Sequence, residues 1–191
     1  LTEPSKSQIP ILKNNISHMS KEQIINQALS LHSQGNVFDA AKYYQHFIDK
    51  GFIDPIVFSN YGLILRSLGK LKEAEISIRK SIELKYDSPN SHSNLGNILK
   101  ERGKLQEAEI SLRNAIKLKP NLAEAHSNLG TVLKELGKLK DAEISIKEAI
   151  KIKPNLAEAH FNLGMLLQEL GKLKDAEISL KEAIKYKPDY A

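Results

Sequence analysis

Residues 120–153 read PNLAEAHSNLGTVLKELGKLKDAEISIKEAIKIK, and residues 154–187 read PNLAEAHFNLGMLLQELGKLKDAEISLKEAIKYK. The two stretches differ at six of 34 positions, so the chain contains a 34-residue repeat. A fixed period of this length is typical of stacked structural repeats. The frame continues towards the N-terminus with weaker identity and places five repeats at 21–54, 55–88, 89–122, 123–156 and 157–190.

Each repeat is predicted to contain two helices, which we call helix A and helix B. An N-cap residue precedes each helix A. These residues are Ser20, Asp54, Ser88, Asn121 and Asn155. Gln23, Glu124 and Glu158 would complete capping boxes with the first and the last two of them. Helix A is predicted to end at a left-handed glycine, namely Gly35, Gly69, Gly103, Gly137 or Gly171.

Small residues recur at fixed offsets inside both helices. Helix A carries Gly62, Gly96, Gly130 and Gly164, and helix B carries Ala40, Ala74, Ala108, Ala142 and Ala176. A glycine inside a helix costs about 1 kcal/mol relative to alanine. Close approach of the partner helix is the physical reason that we expect for these glycines.

These small residues, in a proline-terminated 34-residue helix pair, resemble the tetratricopeptide repeat. The resemblance covers residues 21–191 and implies an all-α fold. That fold is a right-handed α-α superhelix, or solenoid, of five tandem helix-turn-helix repeats. Helix A would line its concave face and helix B its convex face. The tryptophan usual in the family is replaced by Ile24, Phe58, His92, His126 and His160.

One asparagine occupies the same helix A position in all five repeats: Asn26, Asn60, Asn94, Asn128 and Asn162. A side-chain amide both donates and accepts, so such a column along a groove would bond the backbone of an extended peptide. The tetratricopeptide superhelix of O-linked N-acetylglucosamine transferases is similar, with an asparagine ladder in its concave groove. The alternative is that these amides bond to neighbouring backbone or to one another.

A basic column accompanies the asparagines. It consists of Arg66, Lys100 and Lys134 and ends at Gln168, while Asn97 adds a further amide. A groove with this lining would favour an extended polar or acidic segment. Packed helices lie about 10 Å apart, a spacing that suits roughly three residues of extended chain per repeat. The alternative is a solvated surface.

Other charged and histidine positions have structural interpretations. His92, His126 and His160 are too far apart to share a metal ion. Helix B carries i,i+4 pairs of opposite charge, which typically stabilise an exposed helix face. No catalytic or cofactor motif occurs, so this segment is not expected to be an enzyme or to hold a cofactor or metal.

Composition narrows the remaining classes of function. The chain has no cysteine, which excludes disulfides and thiol catalysis and fits the cytoplasm. No apolar run approaches the roughly 20 residues of a membrane span. The net charge of +5 is distributed as lysines alternating with acidic residues, so no nucleic-acid partner is expected.

The two ends of the chain carry separate expectations. Residues 1–20 are predicted to form a flexible leader. Residues 188–191 align with 154–157, so a truncated sixth repeat is expected to begin near 188 and to leave the last helix pair open. Three functions fit: a module that binds extended peptides, a substrate-recruitment domain of a larger enzyme such as a glycosyltransferase, and a self-associating scaffold.

Overall fold

A computed structural model describes residue 16 and residues 18–190 of the 191-residue chain. This part of the chain holds ten α-helices and a final 3₁₀ turn at Pro188–Tyr190. The helices are α1 (Lys21–Ser33), α2 (Val37–Asp49), α3 (Pro55–Ser67), α4 (Leu71–Leu84), α5 (Pro89–Glu101), α6 (Leu105–Leu118), α7 (Ala123–Glu135), α8 (Leu139–Ile152), α9 (Ala157–Glu169) and α10 (Leu173–Tyr186). Odd-numbered helices correspond to helix A and even-numbered helices to helix B.

The helices belong to two compact units, Leu1–Tyr86 and Asp87–Ala191. In the first unit, α1 to α4 pack in chain order, and Ile24, Tyr44, Phe47 and Ile64 are fully or almost fully buried. In the second unit each helix B packs against its own helix A, and α6 and α8 also pack against the helix A that follows. The all-α fold of tandem helix pairs is therefore confirmed.

Three of the expected helix starts are confirmed. Ser20 Oγ accepts a hydrogen bond from the Gln23 amide, and Gln23 Oε1 accepts one from the Ser20 amide at 2.8 Å. Asp54 Oδ1 accepts from two amides of the first turn of α3, and Ser88 Oγ accepts from the Ser91 amide. Each cap satisfies donors that a helix start would leave without partners.

The predicted N-caps Asn121 and Asn155 are wrong. Helices α7 and α9 begin later, after Leu122 and Leu156, and neither start has a side-chain cap. Backbone hydrogen bonds close both turns instead. The Leu122 amide donates to the Lys119 carbonyl at 3.2 Å, and the Leu156 amide donates to the Lys153 carbonyl at 3.0 Å. Neither Glu124 nor Glu158 completes the predicted capping box. The carboxylate of Glu124 pairs instead with Lys153 at 2.8 Å.

The glycines act as the sequence predicted. The five that follow helix A have φ between 72° and 76°, a left-handed conformation that favours glycine. A Cβ atom added to Gly96 would lie 2.5 Å from Leu112 Cγ, and one added to Gly164 would lie 2.6 Å from Leu180 Cγ. Helix B therefore packs directly on the backbone of helix A.

The expected leader at 1–20 falls mainly on residues that the structure does not describe, namely 1–15 and 17. Of the described part, Ile16 is buried and Met19 packs against the core of the first unit. The expected start of a sixth repeat coincides with the turn at Pro188–Tyr190, and Ala191 lies outside the described residues. No helix within residues 18–190 is long and apolar enough to span a bilayer.

Candidate functional site

The second unit places two stripes of polar side chains, on α5 and α7, beside a more apolar third stripe on α9. On α5 the stripe contains Asn94, Asn97 and Lys100, whose spacing keeps them near one side of the helix. The equivalent residues are Asn128, Thr131 and Lys134 on α7 and Asn162, Met165 and Gln168 on α9, and α7 contacts both α5 and α9. We call this surface the polar face, and it comprises Ser93, Asn94, Asn97, Lys100, Ser127, Asn128, Thr131, Lys134 and Asn162.

The three repeated asparagines of the polar face differ in their hydrogen bonds. All three are half-buried. Asn162 Nδ2 donates to Ser127 Oγ at 3.1 Å, so this amide joins α9 to α7. The side chains of Asn94 and Asn128 bond to no other residue in the described part of the chain. Two amides of the unit therefore keep their donors and acceptors available.

Asn97 adds an acceptor to the same surface. Its Oδ1 atom is buried and has no hydrogen-bond partner among the described residues. A buried polar atom left without a partner costs about 1–3 kcal/mol. A donor brought by a ligand or by water would recover that free energy.

The two lysines of the polar face are half-buried, and neither forms an ion pair within residues 18–190. Lys100 and Lys134 occupy the same position of successive repeats, with Gln168 as the third member. The face therefore carries two cations without a paired carboxylate in the described chain.

The remaining predicted site residues lie in the first unit. Asn26 is exposed, whereas Asn60 and Arg66 are half-buried. Arg66 already has an interaction partner. Arg66 therefore differs from Lys100 and Lys134, which form no ion pair in the described chain.

Helix B presents a different surface in the second unit. Glu109 pairs with Arg113 at 2.8 Å and with Lys138 of the next repeat at 2.7 Å. Glu143 repeats the arrangement with Lys147 at 2.6 Å and Lys172 at 3.0 Å. The pairs within one helix were predicted, but the bonds between repeats were not.

The ion pairs lower the pKa values of both glutamates. The hydrogen bond from Lys138, followed by that from Arg113, holds the pKa of Glu109 below its ordinary value. For Glu143 the bond from Lys147 contributes most to the lowered pKa and that from Lys172 next. The sequence signal for the missed contacts is a lysine recurring every 34 residues just before helix B, at Lys138 and Lys172.

The histidines hold the start of helix A in place. His126 Nε2 donates to the Pro120 carbonyl at 2.9 Å, and His160 Nε2 donates to the Pro154 carbonyl at 2.8 Å. His92 is buried, with 3% of its surface exposed. Within the described ranges no three metal-ligating side chains cluster.

A groove between α6 and α8 was missed by the sequence interpretation. Its volume is about 650 Å³, and Ile116, Leu129, Leu133 and Ile144 form its apolar lining. Ile144 is 68% exposed, and Ile110 and Ile178 are similarly exposed at the same position of neighbouring repeats. An isoleucine recurring every 34 residues among charged positions was the available signal.

Comparison with protein families identifies the class of repeat. A family model described as "TPR repeat" matches residues 96–137. Models described as "Tetratricopeptide repeat" match residues 57–88 and 123–156 and residues 157–190. The chain belongs to the tetratricopeptide repeat family, whose fold serves protein–protein interaction. No curated protein matches the chain significantly.

Solved structures with the same fold have low sequence identity. A MamA segment from Desulfovibrio magneticus RS-1 is 18% identical, with a TM-score of 0.77 over 88% of this chain and 96% of that one. YrrB, titled "a TPR protein with an unusual peptide-binding site", is 22% identical, with a TM-score of 0.70 over 97% and 94%. A thermophilic TPR protein from Thermus thermophilus is 20% identical, with a TM-score of 0.73 over 88% and 92%.

Proposed function

We propose that the second unit binds an extended polypeptide segment along its polar face. The side-chain amides of Asn94 and Asn128 bond to the peptide's backbone, so that recognition depends little on its side chains. The observation that carries the proposal is the availability of these two amides within the described structure. In the same proposal Asn26, Asn60 and Arg66 belong to an equivalent surface of the first unit.

Helix geometry supports backbone recognition. Adjacent packed helices lie about 10 Å apart, and an extended chain advances about 3.3 Å per residue. One asparagine per repeat therefore meets every third peptide unit of a segment that crosses α5, α7 and α9. An amide matches a peptide bond because each offers both a donor and an acceptor.

The test uses a set of unstructured 12-residue peptides selected for binding to the wild-type protein. Asn94→Ala combined with Asn128→Ala is expected to weaken every selected peptide by about tenfold, since each lost hydrogen bond contributes about 0.5–1.5 kcal/mol. Methylation of the peptide's backbone nitrogens is expected to weaken binding similarly.

The matched control is Asn121→Ala combined with Asn155→Ala. Both residues are exposed and cap no helix, so affinity is expected to be unchanged. Circular dichroism checks that all variants remain folded. Unchanged affinity in the Asn94 and Asn128 variant would reject the proposal.

A second candidate function, self-association, has a specific observation in its favour. Helix α10 leaves Leu173 66% exposed and Ile178 62% exposed, and Ile184 and Tyr186 are each 38% exposed. Exposed apolar surface of this kind favours association. Sedimentation velocity over a hundredfold range of concentration tests it: a constant monomer mass rejects self-association and leaves peptide binding unaffected.

A further inference from the structure

We infer that the polar face selects acidic segments in the polyproline II conformation with carboxylates three residues apart. The inference rests on the proposed function and adds the chemistry of the partner. Lys100 and Lys134 recognise the two carboxylates, while Asn94 and Asn128 bond to the backbone between them.

Charge balance is the first argument. On helix B of the second unit, Glu109 and Glu143 are each matched by two cations. Lys100 and Lys134 are half-buried and pair with no carboxylate in the described residues. Partly buried charges are screened less by salt than exposed ones. The two lysines therefore favour an anionic ligand over a neutral one of the same shape.

Spacing is the second argument. Lys100 and Lys134 lie on neighbouring A helices, which pack about 10 Å apart. A polyproline II helix has three residues per turn and rises about 3.1 Å per residue. Side chains three residues apart therefore point the same way and are separated by about 9 Å. This conformation also has no internal hydrogen bonds, which leaves its backbone free for asparagine amides.

The third repeat of the unit limits the acidic pattern. Gln168 stands where a third lysine would lie, and it is exposed. The neutral side chain of Gln168 is not expected to distinguish a glutamate of the peptide from a glutamine. The expected ligand motif is therefore two acidic residues, each followed by two others, and then a position without a charge preference.

The test uses labelled 12-residue peptides titrated by fluorescence anisotropy at low and physiological salt. One peptide has two glutamates three residues apart, and a second replaces them with glutamine. A third carries the same two glutamates on adjacent positions. Each lysine–glutamate pair is expected to contribute about threefold in affinity. The wild type is therefore expected to bind the first peptide about tenfold more tightly than the glutamine peptide, which forms neither pair, and about threefold more tightly than the third peptide, which can form only one.

Lys100→Gln combined with Lys134→Gln is expected to remove that preference. The matched control, Lys117→Gln combined with Lys140→Gln, removes two exposed helix B lysines that form no ion pair in the described chain. The control is expected to retain the preference. Equal wild-type affinity for all three peptides, or equal loss in both double variants, would overturn the inference.

A gain-of-function variant provides an independent readout. Gln168→Lys is expected to make a third glutamate, three residues further on, improve affinity about threefold. If the third glutamate does not improve the affinity of this variant, successive repeats do not bind carboxylates three residues apart. The glutamine peptide separates the two proposals: if it binds the wild type and is lost in the Asn94 and Asn128 variant, backbone recognition stands even where acid selection fails.

Discussion

The two sides of the second unit use similar polar residues in opposite ways. On helix B, Glu109 and Glu143 each bind two cations, one of them from the following repeat. On the polar face, Asn94, Asn128 and the two lysines have no partner in the described chain. The difference indicates that the helix B charges hold repeats together, whereas in our proposal the polar face uses its groups to bind a ligand.

The largest expected effect comes from disrupting the contact between α5, which carries part of the polar face, and its helix B, α6. Gly96→Val would place a Cβ atom 2.5 Å from Leu112 Cγ, which forces helices α5 and α6 apart. Overpacking of this kind costs about 1–3 kcal/mol. Chemical denaturation is expected to show that loss, together with weaker peptide binding. A variant as stable as the wild type would show that α6 does not pack on this glycine.

The next prediction compares equivalent asparagines. Asn162→Ala removes the bond to Ser127, whereas Asn94→Ala removes no bond within the described protein. Both changes raise helix propensity equally, so the difference between them isolates the bond. Asn162→Ala is expected to be less stable than Asn94→Ala by about 1 kcal/mol. Equal free energies of unfolding would refute the distinction between the two amides.

The third prediction concerns the ion pairs between repeats. Glu109→Gln and Glu143→Gln each remove two pairs, but the cationic partners are about half-exposed, and solvent therefore screens them. We expect a loss of about 0.5 kcal/mol for each variant. Glu177 pairs with Lys181 and is exposed, so Glu177→Gln is expected to have a smaller effect. A larger loss for Glu177→Gln would contradict this ranking.

The same pairs predict a dependence on pH. Because the pKa values of Glu109 and Glu143 are lowered in the folded protein, their stabilisation is complete above the unfolded value of about 4.5. It is lost as the pH falls through the lower folded values. In urea titrations between pH 7 and pH 3, the Glu109→Gln and Glu143→Gln double variant is expected to lose less stability than the wild type. If the double variant and the wild type lose stability in parallel as the pH falls, the ion pairs of Glu109 and Glu143 do not cause this pH dependence.

The sequence was sufficient for the fold because the 34-residue period repeats both the small contact residues and the helix-ending glycines. It failed at Asn121, where a turn closed by the backbone replaced a side-chain cap. It also missed Lys138, whose contact with Glu109 depends on how far successive repeats are shifted.

The sequence also could not predict which candidate site residues form hydrogen bonds within the protein. Ser93 and Asn128 have the same separation along the chain as Ser127 and Asn162, yet a hydrogen bond joins the second pair and not the first in the described structure. Residue type and spacing therefore identified the column but not which amides remain available.

The most direct test measures stability and peptide affinity on the same two double variants. Asn94→Ala with Asn128→Ala is expected to lose about tenfold in affinity for the selected peptides, with a free energy of unfolding that is no lower than that of the wild type. Glu109→Gln with Glu143→Gln is expected to lose stability and to keep its affinity. The opposite pattern, in which the glutamate variant loses binding and the asparagine variant does not, would contradict the account.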